Sequence, residues 1–282
     1  MPTIKENQDF WDGVYDWRNR GQEWSRDWGS VEMQWHALLL PRIGSWLPAP
    51  TIVEIGCGYG RWTAYLKDKC ANLIAVDVSA QCVEGCAARF RNHAHVRVTQ
   101  NDGATLPTVT DNSVDFVFSF DALPLADVPT VDSYIMEIAR VLRPGAGAFL
   151  HHSNLGAHRF REKLVAVPVL GRTLIRAGLL DGNLYWRDAS VDAGSVAESA
   201  RRHGLTCHSQ EVFRWGTRWV YLDGFTVLYK SETDGGLTQF YRNRHFDRDA
   251  RQYSALSRIY GRVERGGRGR LPKCAQDSGC TE

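Results

Sequence analysis

Two groups of residues in this sequence have the types and the spacing to do chemistry. The first is the run Glu54-x-Gly56-x-Gly58-x-Gly60, which is followed further along the chain by Asp77. Glycine has no Cβ, so a ligand can approach the backbone of such a turn closely. Free N–H groups at the start of the next helix suit a carboxylate or a phosphate. Because the Asp77 carboxylate can accept both hydroxyls of a ribose, the group predicts a site for a nucleoside ligand with an anionic end.

The second group consists of Asp121 and the run His151-His152-Ser153-Asn154. A neutral imidazole titrates near pH 7 and can act as a general base. Side chains alternate along a strand, so His151 and His152 point to opposite faces and only one can face an acceptor. We expect His152 to be the base, with Asp121 orienting or assisting it and His151 as the alternative.

Two other interpretations of this second group stay open. The histidines could simply satisfy backbone carbonyls at the end of a strand. Alternatively, Asp121 and neighbouring oxygen or imidazole ligands could hold a divalent cation such as Mg²⁺, which would lower the pKa of an acceptor hydroxyl. The sequence has no acidic cluster of convincing spacing, so we assign no metal ligand.

The elements that position these residues follow from hydrophobic periodicity. An apolar run at 52–55 reads as a buried strand, and a helical pattern of Trp62, Tyr65 and Leu66 begins directly after the glycines. Further strands are predicted at 73–78, 96–99, 113–120 and 148–152, with a closing antiparallel pair at 205–213 and 219–230. Helices are predicted at 31–43, 79–92, 131–142 and 195–204, the last with Ser195 and Glu198 as a capping box. In such an open α/β sheet, ligands bind beyond the carboxyl ends of the strands.

The glycine pattern distinguishes between two ligand classes. A dinucleotide fold requires G-x-G-x-x-G, but Arg61 stands at the third glycine position. The run from Glu54 to Gly60 instead resembles motif I of class I S-adenosylmethionine (SAM)-dependent methyltransferases, and L-R-P-G-A-G at 142–147 resembles another turn of that family. This resemblance implies an α/β, seven-stranded Rossmann-like fold with strand order 3-2-1-4-5-7-6. It also implies a helical cap insertion at 157–190 and an aromatic N-terminal lid.

The same resemblance implies SAM as the cofactor. Asp77 would hold its ribose, and Asp102, in N-D-G after the third strand, would bind the adenine amino group. Aromatic residues of the N-terminal segment, with Tyr15, Trp24 and Trp28 as candidates, would cover the cofactor. The complete set of implied cofactor-binding residues is Glu54, Gly56, Gly58, Gly60, Asp77, Asp102, Gly103, Phe120 and Tyr15.

The runs G-Y-G-R-W-T, N-D-G, F-S-F-D and H-H-S-N together resemble a bacterial group of class I methyltransferases that act on glycans, in particular those of mycobacterial methylmannose polysaccharide synthesis. The resemblance implies O-methylation of a sugar hydroxyl, the 1-hydroxyl of a (3-O-methyl)mannoside. Tyr185, Trp186 and Trp215 are candidates to stack on the sugar. Two alternatives are a methyltransferase of a small phenolic or amine metabolite and a SAM-binding partner subunit without catalysis.

Composition limits the remaining possibilities. The 282 residues carry a net charge of +2 and are 43% hydrophobic, which is typical of a globular protein and argues against a dedicated nucleic-acid binder. No apolar run is long enough to span a membrane, so we expect a cytoplasmic protein with a small-molecule or oligosaccharide acceptor; the sequence also allows a homodimer. We predict a lid and helix at 1–46, a SAM-binding domain at 47–232 and a partly disordered extension at 233–282, which is basic and glycine-rich from Gly261 onward.

Overall fold

A computed structural model describes residues 3–158, 173, 187–215, 220–231 and 237–260. Most of the predicted cap, at 159–172 and 174–186, lies outside these residues, and so do Tyr185 and Trp186. The predicted tail from Gly261 also lies outside them. All further statements concern the described residues.

The centre of the molecule is an eight-stranded sheet with the order β3-β2-β1-β4-β5-β7-β6-β8. The seven strands predicted from the sequence therefore have the predicted order, and β8 extends the sheet beyond β6. Only β7 runs antiparallel to its neighbours β5 and β6. The strands are β1 (Ala49–Ile55), β2 (Cys70–Asp77), β3 (Val96–Gln100), β4 (Val114–Leu123), β5 (Leu142–Ser153), β6 (Thr206–Phe213), β7 (Asp223–Tyr229) and β8 (Gln239–Asn243).

Helices cover both faces of this sheet. The helix predicted at 31–43 is α2, a π-helical stretch at Trp35–Leu39 and α3 in succession. Short 3₁₀ turns at Trp17–Asn19 and Gln22–Trp28 belong to the N-terminal segment. The α-helices are α1 (Ile4–Gly13), α2 (Val31–Gln34), α3 (Leu40–Ile43), α4 (Thr63–Leu66), α5 (Ala80–Phe90), α6 (Val128–Val141), α7 (Ala193–Arg202) and α8 (Phe246–Tyr260).

The strand β4 shows how the core forms on each face of the sheet. Phe116 and Phe118 are fully buried in a cluster with residues of α2, α3 and α8, whereas Val117 is fully buried in a cluster with residues of α6 and α7. This alternation is the period of two expected for a strand. Each such side chain contributes roughly 1.5–3 kcal/mol on burial. The rigid core fixes the carboxyl ends of β1, β4 and β5, where the predicted functional residues lie.

The sheet continues past the predicted domain limit at residue 232. Strand β8 pairs with β6 in parallel, from Ser209 opposite Gln239 to Phe213 opposite Asn243. Helix α8 then packs on the N-terminal segment: Phe246 contacts Trp28 edge to face, and Tyr253 stacks near the same ring. Residues from both ends of the described chain therefore meet beside the carboxyl edge of the sheet.

Candidate active site

The first cavity at the carboxyl edge, the glycine-loop cavity, has a volume of about 430 Å³. Its sheet side is lined by Ile55, Gly56, Gly58 and Asp77, which end β1 and β2. Gly56 and Gly58 have φ values of +76° and +51°. A Cβ on Gly56 would come within 2.2 Å of the Ala122 Cβ, so only glycine fits there. The glycine run thus leaves the backbone open to a ligand in this cavity.

The two remaining members of the predicted motif support the turn from behind. Gly60 is not on the cavity wall; a Cβ there would come within 2.3 Å of the Phe90 ring, so this glycine lets α5 pack closely. Glu54 is buried, and its Oε2 accepts a hydrogen bond from the Thr63 hydroxyl at 2.5 Å. Burial raises the pKa of Glu54 to about 8. Both residues shape the loop, and neither lines the cavity.

Asp77 lies on the cavity wall as predicted and is anchored by the loop itself. Its Oδ2 accepts from the Gly58 backbone N–H at 2.8 Å, and its Oδ1 accepts from Ser79 N–H at 2.9 Å. Burial raises the pKa of Asp77 to about 6, although these backbone donors oppose the shift. A carboxylate has about four lone-pair positions, so both oxygens can still accept a hydroxyl.

Asp102, the predicted adenine contact, does not line the glycine-loop cavity. The Asp102 side chain accepts from the backbone of Ala104 and Thr105, at 2.9 and 2.6 Å, and so closes its own turn. It is not among the residues that line the cavity, whereas Gly103 is. Tyr134 of α6 also lines the cavity, where its hydroxyl accepts from Asn101 Nδ2 at 2.9 Å. Sequence reasoning missed Tyr134 because its spacing on α6 looks like an ordinary core position.

Helix α1 covers the other side of the glycine-loop cavity. Its Ile4 lies over Gly103, where a Cβ would come within 2.7 Å of the Ile4 Cγ2. Asp12 fixes the far end of the helix, since its Oδ1 accepts from Ser79 Oγ at 2.5 Å and from Gln81 N–H at 3.1 Å. Two predicted lid aromatics lie nearby: Trp24 lines this cavity, but Tyr15 does not.

The second cavity, the histidine cavity, has a volume of about 360 Å³ and is mainly aromatic. It contains the predicted residues Tyr15, Phe120 and Trp28, so the structure places Tyr15 and Phe120 on this side and not beside the glycine loop. The Tyr15 hydroxyl donates to Glu23 Oε1. The aromatic lining is Trp11, Tyr15, Trp24, Trp28, Phe120, Phe213, Trp215 and Phe246, and the polar lining is Asp27, Gln34, Asp121, His151, Arg187 and Asp223.

The two cavities meet at a shared wall. Four residues line both of them: Trp11, Trp24, Asp121 and Leu125. Asp121 has a φ of +63°, an unusual conformation for a residue other than glycine, and it lies where the register between β4 and β5 shifts. This backbone conformation places the Asp121 carboxylate at the wall that the two cavities share.

Five charged or titratable side chains form a row, and four of them line the histidine cavity. Arg61 Nη2 donates to Asp121 Oδ2 at 2.5 Å, and Asp121 Oδ1 lies 3.1 Å from His151 Nδ1. His151 Nε2 lies 3.6 Å from Asp223 Oδ1. Arg187 donates to both oxygens of Asp223, with Nη2 at 3.0 Å from Oδ2. The sequence pointed to Asp121 and His151, but not to Arg61, Arg187 or Asp223.

Electrostatics give these groups different protonation behaviour. Burial raises the pKa of Asp121, but Arg61 and His151 outweigh burial and hold it well below its usual range. Arg187 and His151 likewise depress the pKa of Asp223 against burial. Burial lowers the pKa of His151, but the Asp121 and Asp223 carboxylates outweigh it, so that pKa lies above its ordinary value of 6.5. The ring is therefore poised between two carboxylates that stay ionised at neutral pH.

His152 is on the other face of β5, and the prediction that favoured it as the base is corrected here. Its Nδ1 lies 2.7 Å from the Ser153 carbonyl oxygen and its Nε2 2.7 Å from the Thr226 hydroxyl, so both ring nitrogens are engaged. The ring packs against Gly224, and its exposed fraction is 1%. Burial lowers the pKa of His152 to about 4. His152 is a satisfied core residue, and only His151 lines a cavity.

The side chains do not fit the alternative of a divalent cation. Asp121 was the predicted centre of such a site, but Arg61 and His151 engage its two oxygens. Within the described ranges, His, Cys, Asp and Glu side chains form no group of three or more that could hold a metal ion. We therefore derive no step through Mg²⁺. The part of the chain that the structure describes also has no helix long and apolar enough to cross a membrane.

Comparison with known proteins agrees with this geometry. Residues 52–145 match the profile of the methyltransferase domain family. A fatty-acid O-methyltransferase of Mycolicibacterium smegmatis is 33% identical over 102 residues, which cover 36% of this chain and 35% of that protein. The chain spans 35% and 30% of the lengths of the first two curated relatives that it matches.

Solved structures share the fold. A SAM-dependent methyltransferase of Methanosarcina mazei superposes with a TM-score of 0.52 at 18% identity, over 68% of this chain and 98% of that one. The N-methyltransferase NodS of Bradyrhizobium japonicum gives a TM-score of 0.50 at 18% identity, over 72% and 97% of the two chains. The glycine loop, the strand order and the match at 52–145 agree with one another: the chain has the class I methyltransferase fold, and residues 52–145 match the methyltransferase domain family.

Proposed function

We propose that the protein is a SAM-dependent O-methyltransferase that acts on a sugar hydroxyl. The observation that carries the proposal is the position of His151. Its Nε2 is buried and has no hydrogen-bond partner among the described residues, and the ring lines the histidine cavity next to Asp121, which borders both cavities. A base is thereby held beside the passage between the two cavities.

The glycine-loop cavity fits the cofactor. The open backbone at Gly56 and Gly58 would hold the amino-acid end of SAM, and the two oxygens of Asp77 would accept its ribose hydroxyls. Gly103 and Val78 line the wall that adjoins Asp77, which we assign to the adenine. When bound there, SAM supplies a methyl group on a positively charged sulfur, which is open to in-line displacement by an acceptor atom.

His151 removes the proton that a hydroxyl acceptor must lose. His151 Nδ1 has two neighbours in Asp121: the backbone N–H, which donates to it at 3.2 Å, and the carboxylate Oδ1 at 3.1 Å. We assign to the reactive state the tautomer whose proton is on Nδ1, shared with the Asp121 carboxylate, which leaves Nε2 free as a base. Nε2 takes the hydroxyl proton, and the carboxylates of Asp121 and Asp223 stabilise the imidazolium that forms. General-base catalysis of this kind contributes typically about 10²–10⁴-fold in rate.

The lining of the histidine cavity favours a sugar. Flat aromatic faces such as those of Trp28 and Trp215 stack on pyranose rings, and carboxylates accept hydrogen bonds from hydroxyls. Gln34 Oε1 is a second buried acceptor without a partner in the described chain, and it belongs to the same wall. The 1-hydroxyl of a (3-O-methyl)mannoside in polysaccharide synthesis is the most specific acceptor that we propose.

Two other acceptors each have an observation in their favour. The similarity to a fatty-acid O-methyltransferase, together with the aromatic lining, favours a carboxylate on an apolar chain. The Asp27 carboxylate of the same lining favours an amine, since Asp121 and Asp223 are each paired with an arginine. Unpaired acceptor atoms argue against a carboxylate, since an anion brings no hydrogen-bond donor to them. The homodimer stays a prediction, which sedimentation measurements can test.

The proposal is tested with labelled SAM and a panel of acceptors: mannose and its oligomers, a fatty acid, a phenol and an amine. Each reaction is run with Mg²⁺ and with a chelator. We expect label to be transferred to a mannoside, with equal rates in the two conditions. Transfer to the fatty acid or the amine alone would refute the sugar assignment, and no SAM binding by calorimetry would refute the enzyme assignment.

A further inference from the structure

We propose that the acceptor carries two hydroxyls on neighbouring carbons, a vicinal diol, with one hydroxyl at His151 and the other held by Asp223. This inference rests on the proposed function and makes its substrate class narrower. His151 acts on the hydroxyl that is methylated. Asp223 acts on the neighbouring hydroxyl, as a positioning residue that fixes which oxygen reaches the base.

The distance between the two acceptor atoms carries the argument. His151 Nε2 and Asp223 Oδ1 lie 3.6 Å apart, too far for a hydrogen bond between them. Both residues line the histidine cavity, and Nε2 has no partner within the described chain. Nε2 has no donor, and Oδ1, which accepts from Arg187 Nε, still has a lone-pair position for a second donor. Two adjacent donors on a ligand would fill both positions. A pair of neighbouring hydroxyls supplies these donors from two atoms at a fixed spacing.

The Asp223 carboxylate is held rigidly enough to select a position. Its side chain is 2% exposed, and Arg187 donates to both of its oxygens through Nε and Nη2. Asp223 is also the first residue of β7 and pairs with Ser153 of β5. The carboxylate therefore keeps its orientation relative to His151, and a ligand must adapt to it.

Charge balance favours hydroxyls over an ammonium group, which could also donate twice. The groups that face His151 are Asp121 with Arg61, Asp223 with Arg187, and His152 across the strand. Each carboxylate is already paired with its own arginine, so the chain of groups is neutral when His151 is neutral. An ammonium would leave an uncompensated buried charge, which is costly, whereas a diol would not.

The test compares mannose with its monodeoxy analogues on the enzyme with SAM. We expect that removing the hydroxyl next to the methylated one lowers kcat/KM roughly tenfold to a hundredfold, the value of a hydrogen bond to a charged group. Removing a more distant hydroxyl should cost less. This comparison needs no protein variant, so it does not depend on whether a variant folds.

The variant Asp223→Asn then tests whether Asp223 holds the neighbouring hydroxyl. In this variant, the penalty for removing the neighbouring hydroxyl should shrink to a few-fold. The control variant Asp68→Asn, at an exposed aspartate just before β2, should keep the full penalty. A second readout is independent of turnover: the pKa of His151, measured by NMR titration without ligands, should fall in Asp223→Asn because a nearby negative charge is lost.

The outcomes separate the two proposals. If mannose is methylated but the analogue without the neighbouring hydroxyl reacts equally well, the diol inference is wrong and the proposed function stands. If only an amine or a fatty acid is methylated, the proposed function fails and the diol inference fails with it. If the pKa of His151 were unchanged in Asp223→Asn, the proposed positioning role of Asp223 would be wrong.

Discussion

The two cavities that share Trp11, Trp24, Asp121 and Leu125 are built in different ways. The glycine-loop cavity owes its functional wall to a short stretch of chain, Ile55 to Gly58, and to Asp77 on the next strand. The histidine cavity is lined by side chains that range from Trp11 to Phe246. Its polar groups come from the N-terminal segment, α2, β4, β5, β7 and Arg187. One site is thus a local backbone structure, and the other exists only through long-range packing. The difference suggests that the first is fixed by its fold class, whereas the second can be changed to suit an acceptor.

The largest effect should come from removing the base of the histidine cavity. We expect His151→Ala to lower kcat by about 10²–10⁴-fold, because a positioned general base contributes that much. SAM affinity, measured by calorimetry, should stay within a few-fold because His151 does not line the glycine-loop cavity.

The matched control is the neighbouring histidine. His152→Gln, provided that it folds, should keep most of the activity, because His152 faces the core and lines neither cavity. Loss of activity in folded His152→Gln with full activity in His151→Ala would restore the original sequence-based expectation.

His152 should instead contribute a pH effect on stability, opposite in sign to that of the buried Glu54 and Asp77, whose pKa values are raised. The pKa of His152 is lowered to about 4 in the folded protein, against 6.5 ordinarily, so the unfolded chain binds its proton more readily. Stability from this group is complete above pH 6.5 and is lost as the pH falls toward 4, by about 3 kcal/mol at most. Denaturant unfolding at several pH values measures this loss. As the pH falls through that window, His152→Gln should lose less free energy of unfolding than the wild type. An equal loss in both proteins would contradict the assignment.

The glycine-loop cavity is tested by Asp77→Asn. We expect SAM affinity to fall roughly tenfold to a hundredfold, since hydrogen bonds to a charged carboxylate contribute about 1.5–3 kcal/mol. Isothermal titration calorimetry measures it directly. Asp102→Asn is the comparison variant: its carboxylate closes its own turn, so the affinity should change little. Equal losses in both variants would mean that Asp102 reaches the ligand after all.

A smaller effect should appear in the pH profile. kcat/KM should rise with pH as His151 loses its proton, with a midpoint above 6.5 because Asp121 and Asp223 raise the pKa of His151. Asp121→Asn removes one of these charges, so the midpoint should move to lower pH. A midpoint that stays in place would show that another group is the base.

This contrast also explains how far the sequence could be interpreted. The strands themselves followed from hydrophobic periodicity, which is a local signal. Their order followed from the family resemblance that the glycine run supports, and the structure confirms that order. Asp77 could be placed because it ends the strand after the glycine loop. Arg61, Arg187 and Asp223 could not be found, because the predicted order places β7 beside β5 but does not give the register that sets Asp223 opposite Ser153.

The choice between the two histidines shows the same limit at a single position. Alternation correctly requires His151 and His152 to face opposite sides, but it does not say which side holds a cavity. That depends on the closing strand, whose Thr226 engages His152. Ser195 gives a milder case: the helix begins at Ala193, and Asp192 is its cap, with Ser195 completing the capping box from inside the helix. The predicted box of Ser195 and Glu198 was therefore wrong, and Glu198 instead pairs with Arg201.

Helix α8 has a consequence for the order in which the two sites mature during synthesis. The last residue in sequence that lines the glycine-loop cavity is Tyr134, whereas the histidine cavity requires Phe246. On a ribosome, every group that would grip the nucleoside has emerged long before the acceptor wall can close. A nascent chain therefore has every described residue of the glycine-loop cavity before it has the residues that close the histidine cavity.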